Sequence, residues 1–304
     1  MAIAPMTDLL AAARTAGYAL CYCESWNLES FQAVVEAAEA KHSPMIAGFN
    51  GGFLRHPSRP KPERLSCYAA LRSVLEESSA PVAFLLNETD DLAQIEEGMD
   101  LGFNAVMVES DYLQPKPYLD LVKKVVDLAH AKGVAVEAQI GRLPHGDSGQ
   151  ETGRATDPGL ARAFAQETGI DALGVSVGNV HILTRGKAAI DWDCLKRIRE
   201  QVDIPLVIHG GTGFPAECAR QAIELGVAKF NFGTNLKQAY LAALRRALEA
   251  YQEPMSPHPF AGIGGREDVL WAAREAVKKT VQELIETYTC PAGVATPKQS
   301  PCEA

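Results

Sequence analysis

Short apolar runs and longer amphipathic stretches alternate along the chain. The apolar runs, many rich in Val and Ile, fall at residues 18–23, 44–49, 81–86, 105–108, 134–140, 172–177, 205–208 and 228–232. Runs of this length without strict alternation suit strands buried on both faces, as in a parallel sheet. Between them the spacing turns helical. In 28–40, Phe31, Val34, Val35 and Ala38 share one face; in 117–132, Leu119, Val122, Val125, Val126 and Ala129 form a stripe. Residues 157–168, 193–202, 215–225 and 235–249 carry the same helical spacing.

Eight strand-like runs, each followed by a helix, predict an α/β fold closed as a (β/α)8 TIM barrel. The competing arrangement, an open doubly wound sheet, places a GxGxxG fingerprint in its first strand-to-helix turn, and none follows 18–23. The regular alternation favours the barrel. A helical pattern over 265–288 predicts an extra C-terminal helix that caps the barrel or packs on a partner. The expected organisation is one domain over 1–288, with 289–304 disordered because it has little to bury.

Composition narrows the partners. With 304 residues and 47% hydrophobic content, the chain can build a large core. A net charge of -9 and no long basic run exclude nucleic acid as a main partner, though not a small anion. The opening segment MAIAPMTDLLAAARTAG lacks the pattern of a signal peptide, and no run reaches the roughly 18 apolar residues of a membrane span. A cytoplasmic protein with no membrane partner is expected. The seven scattered cysteines agree, and are expected to be reduced and structural; Cys21 and Cys23 share a strand face, but no second pair completes a zinc pattern.

In a barrel of this kind the chemistry sits where the strands end. The strand ends read Cys23-Glu24, Asn50-Gly51-Gly52, Asn87-Glu88, Glu109-Ser110-Asp111, then Glu137 and Gln139 before Gly141. The last three are Gly178-Asn179-Val180-His181, His209, and Asn231-Phe232-Gly233-Thr234. After His209 come Gly210, Gly211, Thr212 and Gly213. Bare glycine amides and the threonine hydroxyl suit an anion, and NFGT offers further amides beside them. A tight-packing turn beside a core histidine is the bland alternative. His181 and His209, at consecutive strand ends, point to a shared metal, and Glu88 is the carboxylate placed to complete the set. The alternative for Glu88 is an acidic helix start. His145 reads as a surface histidine on a loop.

These residues resemble the class II, metal-dependent ketose-bisphosphate aldolases, the fructose- and tagatose-bisphosphate group. The resemblance runs from about residue 8 to 288 and rests on ordered, correctly spaced segments. They are NLESFQAVVEAAEAKHSPMIAG, GFNAVMVESDYL, VKKVVDLAHAKGVAVEAQIGRL, TDPGLARAFAQETGIDALGVSVGNVH, DIPLVIHGGTG and ELGVAKFNFGTNLKQAY. The tagatose-like branch looks closer. The resemblance implies a barrel, a divalent ion (Zn2+ first, with Mn2+, Fe2+ or Mg2+ as alternatives), a phosphorylated sugar substrate and a homodimer or homotetramer. It implies His181 and His209 as metal ligands, and Gly210, Gly211, Thr212, Asn231 and Thr234 as substrate contacts. Arg185 falls where the family often has a lysine near the phosphate, and Glu109 where it has an aspartate.

The departures concern proton transfer. The family's Asp-His pair after strand three, general acid/base and ligand, reads Asn87-Glu88; its EAE on strand five reads EAQ; a strand-one asparagine is Glu24; the glycine after His181 is Ile182. Asn87 exchanges no proton near neutral pH, so Glu109 or Glu88 is expected to carry it. The clustering of Glu24, Glu88 and Glu109 suits acid–base work. The expected activity is a divalent-metal-dependent, aldolase-like carbon–carbon lyase acting on a phosphorylated ketose through a metal-stabilised enediolate. The alternatives are a metal-dependent sugar-phosphate isomerase or epimerase and a non-catalytic sugar-phosphate-binding homologue.

Overall fold

The strand pattern closes on itself. In the computed structural model, which describes residues 3–110, 113–144, 146 and 154–289, eight parallel strands pair in chain order and the last pairs with the first. Helix α1 (Met6–Ala16) precedes β1 (Leu20–Ser25), α2 (Leu28–Ala40) and β2 (Met45–Asn50). Short helices α3 (Gly51–Leu54), α4 (Leu65–Ala69) and α5 (Arg72–Glu76) lead to β3 (Val82–Thr89). Next come α6 (Leu92–Asp100), β4 (Ala105–Val108), α7 (Pro115–His130), β5 (Ala135–Ile140), α8 (Pro158–Thr168) and β6 (Ala172–Val175). The chain ends with α9 (Trp192–Arg199), β7 (Leu206–Ile208), two 3-10 turns, α10 (Ala219–Glu224), β8 (Val227–Phe232), α11 (Thr234–Leu248) and α12 (Val269–Tyr288). The fold is the predicted (β/α)8 barrel.

Two apolar layers hold it. Phe31, Phe49, Phe84 and Phe103 belong to the layer between sheet and helices, with Phe84 stacked on Phe103 at 4.0 Å. Inside the barrel, Leu20, Tyr22, Ile46, Leu85 and Met107 form a separate core with Met6, Leu9 and Leu10 of α1. Ala4 N–H donates to the Val82 carbonyl at the start of β3, so α1 plugs the end where the strands begin. Each such side chain contributes about 1.5–3 kcal/mol by burial. The opposite end is left to polar groups.

Helix α12 lies along the outside of the barrel against α2 and α11. Its Ala273, Val277, Val281, Ile285 and Tyr288 are buried, and Tyr288 meets Phe230 and Phe232 at 4.6 and 5.1 Å between ring centroids. It therefore belongs to the outer ring of helices and does not cap an end. Past Thr289, the tail expected to be disordered lies outside the described residues.

Two sheet irregularities shape the site. Leu206 faces Val227 but Val207 faces Lys229, so β8 carries an extra residue. A one-residue slip exchanges the faces of the side chains that follow, and Lys229 and Asn231 meet Glu137 and His209 inside the barrel. Similarly, Leu86 pairs with Val106 and Thr89 with Val108, leaving Asn87 and Glu88 together opposite Met107. Glu88 bulges with φ +52, a left-handed conformation that costs an L residue about 1–2 kcal/mol.

Cys21, Cys23, Cys67 and Cys194 are free. Cys218 is disulfide-bonded, which corrects the expectation that the cysteines are reduced. Among the described residues no helix is long and apolar enough to cross a membrane.

Candidate active site

At the end of β7 stands His209, fully buried. Its Nε2 lies 2.9 Å from Glu137 Oε1, and Glu137 Oε2 lies 2.8 Å from Lys229 Nζ. Lys229 donates to Asn231 Oδ1 at 2.6 Å, and Asn231 Nδ2 comes back to within 3.0 Å of His209 Nε2. Side chains from β5, β7 and β8 thus form a buried polar cluster in which hydrogen bonds and an ion pair run from His209 through Glu137 and Lys229 to Asn231. An ionised carboxylate only accepts, so Nε2 carries the proton toward Glu137. In the neutral ring that a metal ligand requires, the lone pair is then on Nδ1, which is buried without a hydrogen bond among the described residues.

Nδ1 faces Glu88. Glu88 Oε1 lies 3.4 Å from it and 3.7 Å from His181 Nε2. The left-handed bulge turns this carboxylate toward both histidines. Asn50 donates through Nδ2 to Glu88 Oε2, while its own Oδ1 accepts the Phe53 N–H at 2.9 Å to cap α3. Ligand-type atoms of Glu88, Glu109 and His209 all lie within 4.8 Å of one another. Gln139 Nε2 donates to Glu109 Oε1 at 3.0 Å and so orients that carboxylate.

The electrostatics follow from burial and pairing. Burial opposes ionisation of Glu88, but His181 and His209 outweigh it and hold the carboxyl well below its usual range. Burial likewise disfavours a charged His209, yet Glu137 and Glu88 push its pKa up to about 9. Glu137 is lowered against its own burial by Lys229 and His209. Glu24 is raised, mainly by burial and also by Glu88, with Lys237 opposing.

This donor set fits a divalent ion. Two imidazoles and one or two carboxylates suit Zn2+, Fe2+ or Mn2+. The orphaned His209 Nδ1 has the environment of a ligand atom whose ring is clamped from behind. Glu88 and His209 come together as the sequence led one to expect, with His181 beside Glu88. Glu109, expected only to move a proton, joins them as a further possible ligand.

Beside this group lies a cavity of about 350 Å³. Glu24, Gly210, Thr212, Asn231, Gly233 and Thr234 line it, as the sequence suggested. Gly210, at φ +71, could carry no side chain, since a Cβ would stand 2.1 Å from the Val180 carbonyl oxygen. Gly211 and Gly213 are different. Both are buried away from the cavity wall, and a Cβ would meet the Asn231 carbonyl oxygen at 2.8 Å or Leu183 Cδ2 at 2.4 Å. The Gly213 N–H already donates to the Gly210 carbonyl. At these two positions close packing requires glycine.

Arg185 is exposed and does not line this cavity. The cation in its wall is Lys237 in the first turn of α11, 2.6 Å from Glu24 Oε1 and over the Phe53 ring at 4.7 Å. It stands three residues after Thr234, the helical spacing that puts both on one face, so its place was open to sequence reasoning. Tyr22 was also overlooked; it lines the cavity, and its buried hydroxyl has no hydrogen-bond partner among the described residues. Asn87 is buried with its Oδ1 unpartnered and is absent from the cavity wall. Ile182 has φ +53, a left-handed conformation that favours glycine. His145 and Asp111 lie outside the described residues.

Solved structures share this architecture. The chain is 26% identical to the YdjI aldolase from Escherichia coli K12, with a TM-score of 0.77, covering 96% of this chain and 100% of that one. A protein from Coccidioides immitis, provisionally assigned as a fructose-1,6-biphosphate aldolase, is 25% identical with a TM-score of 0.77, covering 93% and 96%. The Campylobacter jejuni fructose-bisphosphate aldolase, 20% identical over 94% of each chain with a TM-score of 0.70, shares the fold. The pattern of the family named fructose-bisphosphate aldolase class-II matches residues 4–292, so the chain belongs to that family.

Proposed function

We propose that the protein is a divalent-metal-dependent carbon–carbon lyase of the aldolase type, acting on a phosphorylated ketose. The observation that supports this most is the convergence of His181 Nε2 and the unpartnered, ring-clamped His209 Nδ1 on one oxygen of Glu88. His181, His209 and Glu88 would hold the ion, with Glu109 within reach. When bound, the ion supplies Lewis-acid polarisation of a substrate ketone.

The chain's own residues divide the remaining work. Glu109, oriented by Gln139, is the base for the proton that leaves or returns as the carbon–carbon bond breaks. The buried amide of Asn87 cannot do this, because it has no proton to exchange near neutral pH. Thr212, Asn231 and the amides at Gly210 and Gly233 position the ketone end, and Lys237 supplies positive charge for its anion. Glu24 holds Lys237 until substrate competes for it. Phe53, Ile182 and Phe232 form apolar wall around the same end and limit access of water.

The test is turnover of a panel of ketose phosphates by the zinc-reconstituted protein, with products resolved by mass. Chelator-sensitive release of a three-carbon phosphate and an aldehyde is expected. Formation of an isomer of unchanged mass, or no turnover with any divalent ion, contradicts the reading.

A further inference from the structure

On the other side of Glu109 lies a larger cavity, about 720 Å³, between the ends of β4 and β5 and the start of α8. Glu109 and Gln139 belong to its wall, so it adjoins the candidate ion site at Glu109. Leu113, Leu160 and the stacked pair Tyr118 and Phe164, 5.8 Å apart and 7° from parallel, give it an apolar side. Leu113 and Leu160 are 39% and 55% exposed.

Two arginines line the same space. Arg142 and Arg154 exchange both backbone hydrogen bonds, 3.2 and 2.8 Å, in an isolated antiparallel bridge. Residues opposed in this way have Cα atoms about 5.5 Å apart and side chains on one face. Like charges set directly opposite each other are unfavourable. Among the described residues neither guanidinium has a carboxylate partner that would compensate; the nearby Asp157 uses Oδ1 to cap α8 through the Leu160 N–H at 2.9 Å. The bridge is held firmly in place. Thr156 donates through Oγ1 to the Ile140 carbonyl at 2.6 Å and exchanges two 2.8 Å bonds with the Ser176 backbone. Two arginines whose backbones are fixed side by side at the rim of this cavity offer a pair of guanidinium groups to an anion.

We infer that this cavity binds the aldehyde half of the substrate, that this half is bulkier than a triose, and that it ends in a carboxylate or phosphate held between Arg142 and Arg154. The inference rests on the aldolase reading above. It places the substrate across the barrel mouth, its ketone end at the β7 and β8 exits and its anionic tail beyond Glu109. The volume suits such a group, since pockets of about 300–1,000 Å³ take ligands well beyond three carbons.

The probe is 4-formylbenzoate, which joins an aldehyde, a ring and a carboxylate; benzaldehyde lacks only the charge. Calorimetry on the full-length, zinc-reconstituted protein should show 4-formylbenzoate binding about tenfold or more tightly than benzaldehyde. That preference should shrink with added salt and vanish in the double variant Arg142→Gln/Arg154→Gln, whose backbone bridge and zinc content should be intact. Equal binding of the two probes by the wild type, or an undiminished preference in the double variant, overturns the inference. Ketose-phosphate turnover without the preference rejects the subsite alone. The preference without metal-dependent turnover rejects the lyase reading and leaves the anion site standing.

Discussion

His209 Nε2 lies 2.9 Å from Glu137 Oε1, and both side chains are wholly buried. The bond holds the imidazole with its Nε2 proton at the back, so that loss of the Nδ1 proton leaves a lone pair toward Glu88, the arrangement a metal-ligating histidine needs. Lys229 neutralises the far oxygen of Glu137 from 2.8 Å. The carboxylate therefore stays ionised in a place where burial alone would protonate it.

Replacing Glu137 by Gln removes that direction. Zinc affinity should fall about 10–100-fold, measured by competition with a chromogenic chelator. Lys229 is then a buried charge without its partner, and stability should drop by about 3–5 kcal/mol in denaturant unfolding. Unchanged zinc affinity in a folded Glu137→Gln protein contradicts the positioning role.

Ion binding should expel a proton. In the ion-free chain His209 is favoured in its charged form up to about pH 9, but a ligand nitrogen must be neutral. Calorimetry near pH 7.5 in buffers of different ionisation enthalpy should show release of about one proton per ion. The sign for the ion-free chain is the reverse. A raised pKa stabilises fully below the unfolded value of about 6.5 and is lost as pH rises through about 9. The ion-free protein should therefore weaken across that window, by on the order of 3 kcal/mol. No proton release and a flat stability profile contradict this.

Glu109→Gln should lower kcat by about 10²–10⁴, the contribution of a positioned acid–base group. Because Glu109 approaches Glu88 and His209, its zinc affinity should fall as well. Steady-state kinetics at saturating zinc separate the two effects. Turnover within a factor of about two of the wild type removes Glu109 from proton transfer.

Ile182 is a β-branched residue in the left-handed region. Ile182→Gly should relieve about 1–2 kcal/mol of strain and give back about 0.5–1 kcal/mol in unfolded-state entropy. A modest net gain in unfolding free energy is expected, together with a wider cavity. Ile182→Ala keeps the Cβ and should show no gain. A glycine variant less stable than the alanine variant contradicts the strain argument.

The barrel was legible because every strand is a compact apolar run and each intervening helix has its own stripe. Helix α1 was overlooked, although Met6, Leu9, Leu10 and Ala13 are spaced for it; a plug at the strand starts has no partner in a strand-by-strand reading. His209 and Glu88 were found because the chemistry sits at strand ends. The approach of Glu109 to Glu88 and His209 was not, because the distance between residues on different strands is invisible in sequence. Lys229 was hidden for a different reason. It sits among apolar residues on β8, and only the extra residue in that strand shows which way it faces. At Gly211 and Gly213 the sequence alone does not separate close packing from open amides, because glycine serves both equally well.

Anomalous diffraction at the zinc edge, from crystals of the zinc-reconstituted protein, tests the central claim most directly. The account predicts one strong peak about 2.0–2.2 Å from His209 Nδ1, His181 Nε2 and an oxygen of Glu88, with Glu137 still bonded to His209 Nε2. A peak away from these side chains, or none at full zinc loading, would contradict it.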